Sequence, residues 1–123
     1  MLSAYGPVFG LDESLGKKLA AGFGGGLGAM QEACGAVTGA VMVIGLKYGE
    51  AGSDHKLRQK VYEAVQEFGR EFKSRNKAIT CRDLLEFDIS TRSGMKEARD
   101  RGIIKAKCPG FIRDAVEILE KFI

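Results

Sequence analysis

Residues 23–49, FGGGLGAMQEACGAVTGAVMVIGLKYG, decide how this chain folds. The stretch opens on a glycine loop, Gly24, Gly25, Gly26 and Gly28, and passes into an apolar run from Ala33 to Leu46. Within that run Thr38 is the only hydrogen-bonding side chain apart from the Cys34 thiol. A helix that is apolar on every side has no solvent face and belongs at the centre of a domain. The run is also shorter than the roughly 20 apolar residues that span a bilayer. The reading is a buried central helix from about Ala29 to Tyr48, closed by Gly49 as a left-handed terminator, with Gly52 in the turn that follows. Gly35 and Gly39, one turn apart, leave a groove where another backbone can come close.

The flanks read as further helices. MLSAYGPVF (residues 1–9) has apolar residues at helical spacing until Gly6-Pro7 interrupts them, like the last turns of a helix that begins earlier. Asp12 can cap a helix from Glu13 to about Ala21, with Leu15 and Leu19 facing inward. Ser53 or Asp54 caps a long helix to about Arg75, in which Leu57, Val61, Val65, Phe68 and Phe72 form an amphipathic stripe expected to pack antiparallel to the central helix. Thr80-Cys81-Arg82-Asp83 resembles a capping box and starts a short helix. Ser90-Thr91 caps another, Arg92 to about Arg101, ended by Gly102. Cys108-Pro109 opens the last helix, because proline favours the first helical position. Its inward face is Phe111, Ile112, Ala115, Ile118, Leu119 and Phe122. No stretch reads as a strand. The expectation is one all-α domain over residues 1–123, a compact bundle of five to six helices around the buried central one.

Composition narrows the function. A chain of 123 residues is long enough to bury a core without covalent staples. Its 19 basic and 16 acidic residues are interleaved, giving a formal charge of +3. That is a solvated surface rather than the clustered basic face of a nucleic-acid binder. Tryptophan is absent and aromatic residues do not alternate with basic ones, so no base-stacking platform is expected. Nothing suggests membrane insertion or an export signal. Three cysteines in a cytoplasmic protein would stay mostly reduced, and an odd number cannot all pair within one chain. A homodimer would suit so apolar a small chain.

The cysteines are the candidate chemistry. Cys81 is expected as the first residue of its helix and Cys108 as the cap of the last, where free amides and the helix dipole favour a thiolate. They should then be the more reactive two, since Cys34 is read as lying inside a helix. Cys108 shares a face with Ile112 and Ala115, and Cys81 with Leu84 and Leu85, so all three sulfurs should turn inward and meet. A metal site has little support from spacing alone, because no CxxC pair occurs. His55, the single histidine, lies in a charged stretch and reads as solvated. Gly24-x-Gly26-x-x-Ala29 matches a dinucleotide fingerprint by letter, but a helix rather than a strand precedes it. A tight turn that lets two helices cross is the preferred reading, with anion binding at the start of the central helix left open. The opposing view of the whole is a non-catalytic helical binding module whose cysteines fill the core.

The motif set resembles one family. Cys34-Gly35-Ala36-Val37-Thr38-Gly39 fits the CGAxxG core of the C_GCAxxG_C_C family of small redox-active proteins. The flanks FGGGLGAM and GLKYG fit as well, as do CRDLLEFDIS and KCPGFIRDAVEIL around Cys81 and Cys108. The resemblance implies a helical domain with four cysteines, of which Cys34, Cys81 and Cys108 are the second, third and fourth. It places the first a few residues before Leu2, either upstream of Met1 or lost from this chain. It implies redox work at Cys34, Cys81 and Cys108, by thiol–disulfide exchange or through a thiolate-bound metal such as an iron–sulfur cluster, with a redox partner left unnamed. With three thiols a four-thiolate cluster would need an outside ligand, whereas a disulfide would not.

Overall fold

The computed structural model describes residues 1–50, 52 and 54–123. The fold is all-α. Seven α-helices are found among the described residues: α1 Leu2–Tyr5, α2 Glu13–Ala20, α3 Gly35–Tyr48, α4 His55–Asn76, α5 Cys81–Leu85, α6 Arg92–Asp100 and α7 Ile103–Leu119. The number exceeds the expected five or six because a single turn, α1, forms before Gly6-Pro7, where the chain tightens into a 3-10 turn. Among the described residues no helix is long and apolar enough to cross a membrane.

The apolar run lies at the centre. On α3 the residues Ala36, Val37, Gly39, Ala40, Val43 and Ile44 are buried, and α1, α4 and α7 pack around it. The amphipathic stripe of α4 supplies Phe68 and Phe72, both fully buried, with ring centroids 6.1 Å apart. From α7 come Ala115, Ile118 and Leu119. The Tyr48 hydroxyl donates to the Phe122 carbonyl at 2.6 Å and ties the end of α3 to the end of the chain. Close approach is realised at Gly35 by backbone, as expected, and at Gly39 by a side chain instead. A Cβ on Gly39 would stand 2.8 Å from the Met1 side chain, and one on Gly35 would stand 3.4 Å from the Phe23 carbonyl.

Caps fall largely where the sequence placed them. Asp12 accepts from the Leu15 amide at 3.0 Å and Thr91 from the Gly94 amide at 3.0 Å. Asp54 caps α4 by accepting from Leu57, and the alternative cap, Ser53, lies outside the described residues.

Two expectations are corrected here. Leu15 and Leu19 face outward, 48% and 55% exposed. The inward residue of α2 is Gly16, where a Cβ would stand 3.4 Å from Leu11 and 3.5 Å from Leu2, so the helix approaches its neighbours on the glycine side. Gly49 is extended, at φ −83° and ψ 157°, rather than left-handed. Space explains the glycine instead, since a Cβ would fall 2.6 Å from the Gly45 carbonyl oxygen.

Candidate functional site

The site begins with the glycine loop. Gly25, Gly26 and Gly28 have φ of 63°, 70° and 55°, and Leu27, Ala29 and Gln31 share that left-handed region at 65°, 63° and 59°. Such residues cannot propagate a right-handed helix. The central helix therefore starts at Gly35 instead of Ala29, and Cys34 is its N-terminal cap residue rather than a residue inside it. Backbone bonds close the loop on itself, from Gly28 to Gly22 at 2.8 Å, Gln31 to Gly25 at 3.0 Å and Glu32 to Gly26 at 2.8 Å.

The loop then pairs with the entry to α5. A single antiparallel bridge joins Ala33 to Thr80. Its two bonds run from the Cys34 amide to the Ile79 carbonyl, 2.8 Å, and from the Cys81 amide to the Glu32 carbonyl, 2.7 Å. Each cysteine is thus the residue after the bridged one on its own segment, and the bridge fixes the two backbones together. Thr80 holds the start of α5 as expected, accepting from the Asp83 amide at 3.3 Å while its hydroxyl donates to the Asp83 carboxylate at 3.0 Å.

Cys108 does not cap a helix. The last helix begins five residues earlier, at Ile103, and Pro109 lies inside it. Gly102, at φ 70°, both ends α6 and caps α7. Ile103 and Ile104 are then drawn into a small core with Leu85, Ile89 and Ala98. That burial outweighs the hydrogen bond that proline removes from the Lys105 carbonyl.

All three cysteines line one cavity of about 370 Å³. Each is a free thiol and half-buried. The cavity lies at the seam between two apolar clusters: Cys34 packs against the main core, Cys81 and Cys108 against the smaller one. Gly26 is buried in its wall, and a Cβ there would meet the Cys81 Cβ at 2.7 Å.

The electrostatics do not favour a thiolate at Cys81 or Cys108, contrary to what their expected places at helix starts had suggested. Burial raises the Cys81 thiol above its ordinary value of 9.0, a hydrogen bond from Gln31 works against this, and the Cys34 charge adds to the rise. Burial likewise raises Cys108, helped by the charges of Cys34 and then Cys81. Cys81 does start a helix, but one of five residues carries little dipole, so desolvation decides. The consequence for stability has a definite sign. Below the ordinary thiol value both folded and unfolded chains keep these protons. As pH rises from about 9.0 through the raised folded values, the unfolded chain loses them first. Urea denaturation should show stability falling across that window, and falling less steeply in the Cys81→Ser/Cys108→Ser double variant. Equal slopes would contradict the burial assignment.

Gln31 is a site residue that the sequence did not reveal. The residue is buried, 3% exposed. Its Nε2 donates to the Phe87 carbonyl at 2.8 Å and stands 4.0 Å from Cys81 Sγ, while Oε1 accepts from the Ile89 amide at 3.1 Å. A lone amide in a glycine-rich, apolar stretch was the available signal. Gln31→Leu would strand the Phe87 carbonyl and the Ile89 amide, a loss of about 1–3 kcal/mol. It would also shift Cys81 alkylation to higher pH. Denaturation together with a pH profile of site-resolved alkylation checks both effects, and an unchanged profile would remove Gln31 from the site.

Among the described residues no group of three or more His, Cys, Asp or Glu side chains is placed to hold a metal ion. His55 is exposed at the start of α4. The cavity is therefore a thiol pocket without a ready-made metal cage.

No curated protein and no solved structure matches the chain. A family model described as "Putative redox-active protein (C_GCAxxG_C_C)" matches residues 1–122. Since that match leaves out only Ile123, and the motif cysteines stand around a single cavity, the chain belongs to the C_GCAxxG_C_C family.

Proposed function

We propose that this protein performs thiol–disulfide redox chemistry in the cytoplasm, with Cys34, Cys81 and Cys108 as its working residues. The observation that carries the reading is that three separate elements, the cap of α3, the first residue of α5 and the middle of α7, each bring a thiol to one cavity. Cysteines that only fill a core need not meet. Cys34 is the common member. It is the cap residue of a helix of 14 residues, and its charge acts on both other thiols.

In the forward step the Cys34 thiolate attacks one sulfur of a disulfide substrate. The substrate S–S bond breaks, one thiolate leaves and takes a proton from water, and a mixed disulfide forms on Cys34. Cys81 or Cys108 then gives up its proton and attacks the Cys34 sulfur, expelling the second thiolate. The protein loses two electrons and two protons, and the substrate gains them as two thiols. Burial favours the protonated form of the second thiol before it reacts.

The test is a redox titration of the native protein in dithiothreitol buffers, with free thiols counted at each potential. One reversible transition that consumes two of the three thiols is expected. Three thiols persisting at every potential would reject the reading in favour of core filling. A thiolate-bound redox metal would be a different form of the same site, visible as metal that co-purifies under anaerobic conditions.

A further inference from the structure

The thiol cavity carries one charged side chain, Arg99 of α6, amid a largely apolar wall that includes Leu85, Ile89, Met95 and Ile104. Arg99 also lines a second, adjoining hollow with Arg92, Lys96 and Asp100. Of these, Asp100 is already paired, with Lys96 at 2.8 Å. Among the described residues the Arg99 guanidinium has no ion pair and no side-chain hydrogen bond, whereas Lys96 of the same helix is engaged. Arg92 adds positive charge to the adjoining hollow, and no acidic side chain lines the thiol cavity. A guanidinium presents a planar fork of donors that matches a carboxylate. The cavity volume of about 370 Å³ is on the scale of a small-molecule site.

We infer that the cavity selects small anionic disulfides, with the Arg99 guanidinium pairing the substrate carboxylate while the substrate sulfur meets the cysteines. The inference rests on the thiol–disulfide reading and adds the substrate class to it. The reaction is the exchange already balanced above: the carboxylated disulfide is reduced to two thiols, and the protein dithiol becomes a disulfide. Arg99 takes no part in electron transfer and acts by binding.

The experiment compares two disulfides of similar size, 3,3′-dithiodipropionate, which is anionic, and 2-hydroxyethyl disulfide, which is neutral. Oxidation rates of the reduced full-length protein are divided by those of free cysteine with the same reagents. The expected result is a normalised preference for the anionic disulfide that falls about five-fold in Arg99→Gln, as for a partly exposed ion pair. Arg99→Lys should keep part of the preference, and the neutral rate of each variant serves as the reference against which its anionic rate is read. Added salt should weaken the preference in the native protein and not in Arg99→Gln. An anionic-to-neutral ratio equal to that of free cysteine, or unaltered by Arg99→Gln, would overturn the role of Arg99 while leaving the thiol chemistry standing. Failure of both disulfides to oxidise the protein would overturn the thiol reading and the substrate class with it.

Discussion

Gly26→Ala is expected to destabilise the protein by about 3 kcal/mol and to disturb the thiol cavity at the same time. Two costs combine. A residue with a Cβ loses roughly 1–2 kcal/mol in the left-handed region, and Gly26 has φ 70°. Overpacking adds about 1–3 kcal/mol, because the new Cβ would lie 2.7 Å from the Cys81 Cβ, 2.7 Å from the Glu32 carbonyl oxygen and 2.8 Å from the Gln31 Cα. Two of these atoms are backbone in a bridged segment and cannot swing away. Gly28→Ala separates the two contributions. Gly28 has φ 55°, but its nearest neighbour would be 3.9 Å away, so only the backbone cost of about 1 kcal/mol applies. Urea denaturation of both variants checks the difference, and equal losses would mean that the contact with Cys81 is not tight. Cys81 alkylation should change in Gly26→Ala and stay as it is in Gly28→Ala.

Cys34→Ser should abolish the coupled oxidation of two thiols, slowing disulfide reduction on the order of 100-fold, since the intramolecular resolving step is lost. Cys81→Ser and Cys108→Ser should each keep a two-thiol transition, because either remaining thiol can resolve the mixed disulfide on Cys34. A second effect of the same variant has a fixed sign. The Cys34 charge raises both other thiols, so its removal should move alkylation of Cys81 and Cys108 to lower pH. Serine is close to cysteine in size, and denaturation of each variant shows whether the fold is intact. Coupled oxidation that survives Cys34→Ser would displace Cys34 from the centre of the mechanism.

Much of this architecture could be read from residue pattern because the signals were repetitive. The apolar run through Val43 and Ile44 has no polar side to turn outward, and the Phe68–Phe72 stripe repeats at helical spacing, so burial follows from periodicity. The caps at Asp12, Thr80 and Thr91 are local hydrogen bonds between residues three apart and need no tertiary knowledge.

What pattern could not supply was nonlocal. Leu27, Ala29 and Gln31 take left-handed conformations because the loop must reach the Ile79–Cys81 segment, and nothing in their own side chains favours it. The start of the central helix, and with it the position of Cys34, was misplaced for that reason. Cys108-Pro109 looked like a helix start, but the helix through Ile103 is held by packing on the smaller core. The face of Cys81 was legible from Leu84 and Leu85, both buried, whereas Ile112, expected to mark the inward face of Cys108, is 49% exposed and only Ala115 of that face is buried. Arg99 reads in sequence as one more charge on an exposed helix. Only its place on the cavity wall distinguishes it.

Peptide mapping of the oxidised protein by mass spectrometry tests most directly whether the three cysteines form one redox unit centred on Cys34. The reduced protein is oxidised with a limiting amount of disulfide, unreacted thiols are blocked, and cross-linked peptides are identified. The expected product has lost the mass of two hydrogen atoms, and every internal cross-link contains Cys34, joined to Cys81 or to Cys108. A product linked only between Cys81 and Cys108, or one in which the three thiols are modified independently with no internal bond, would contradict it.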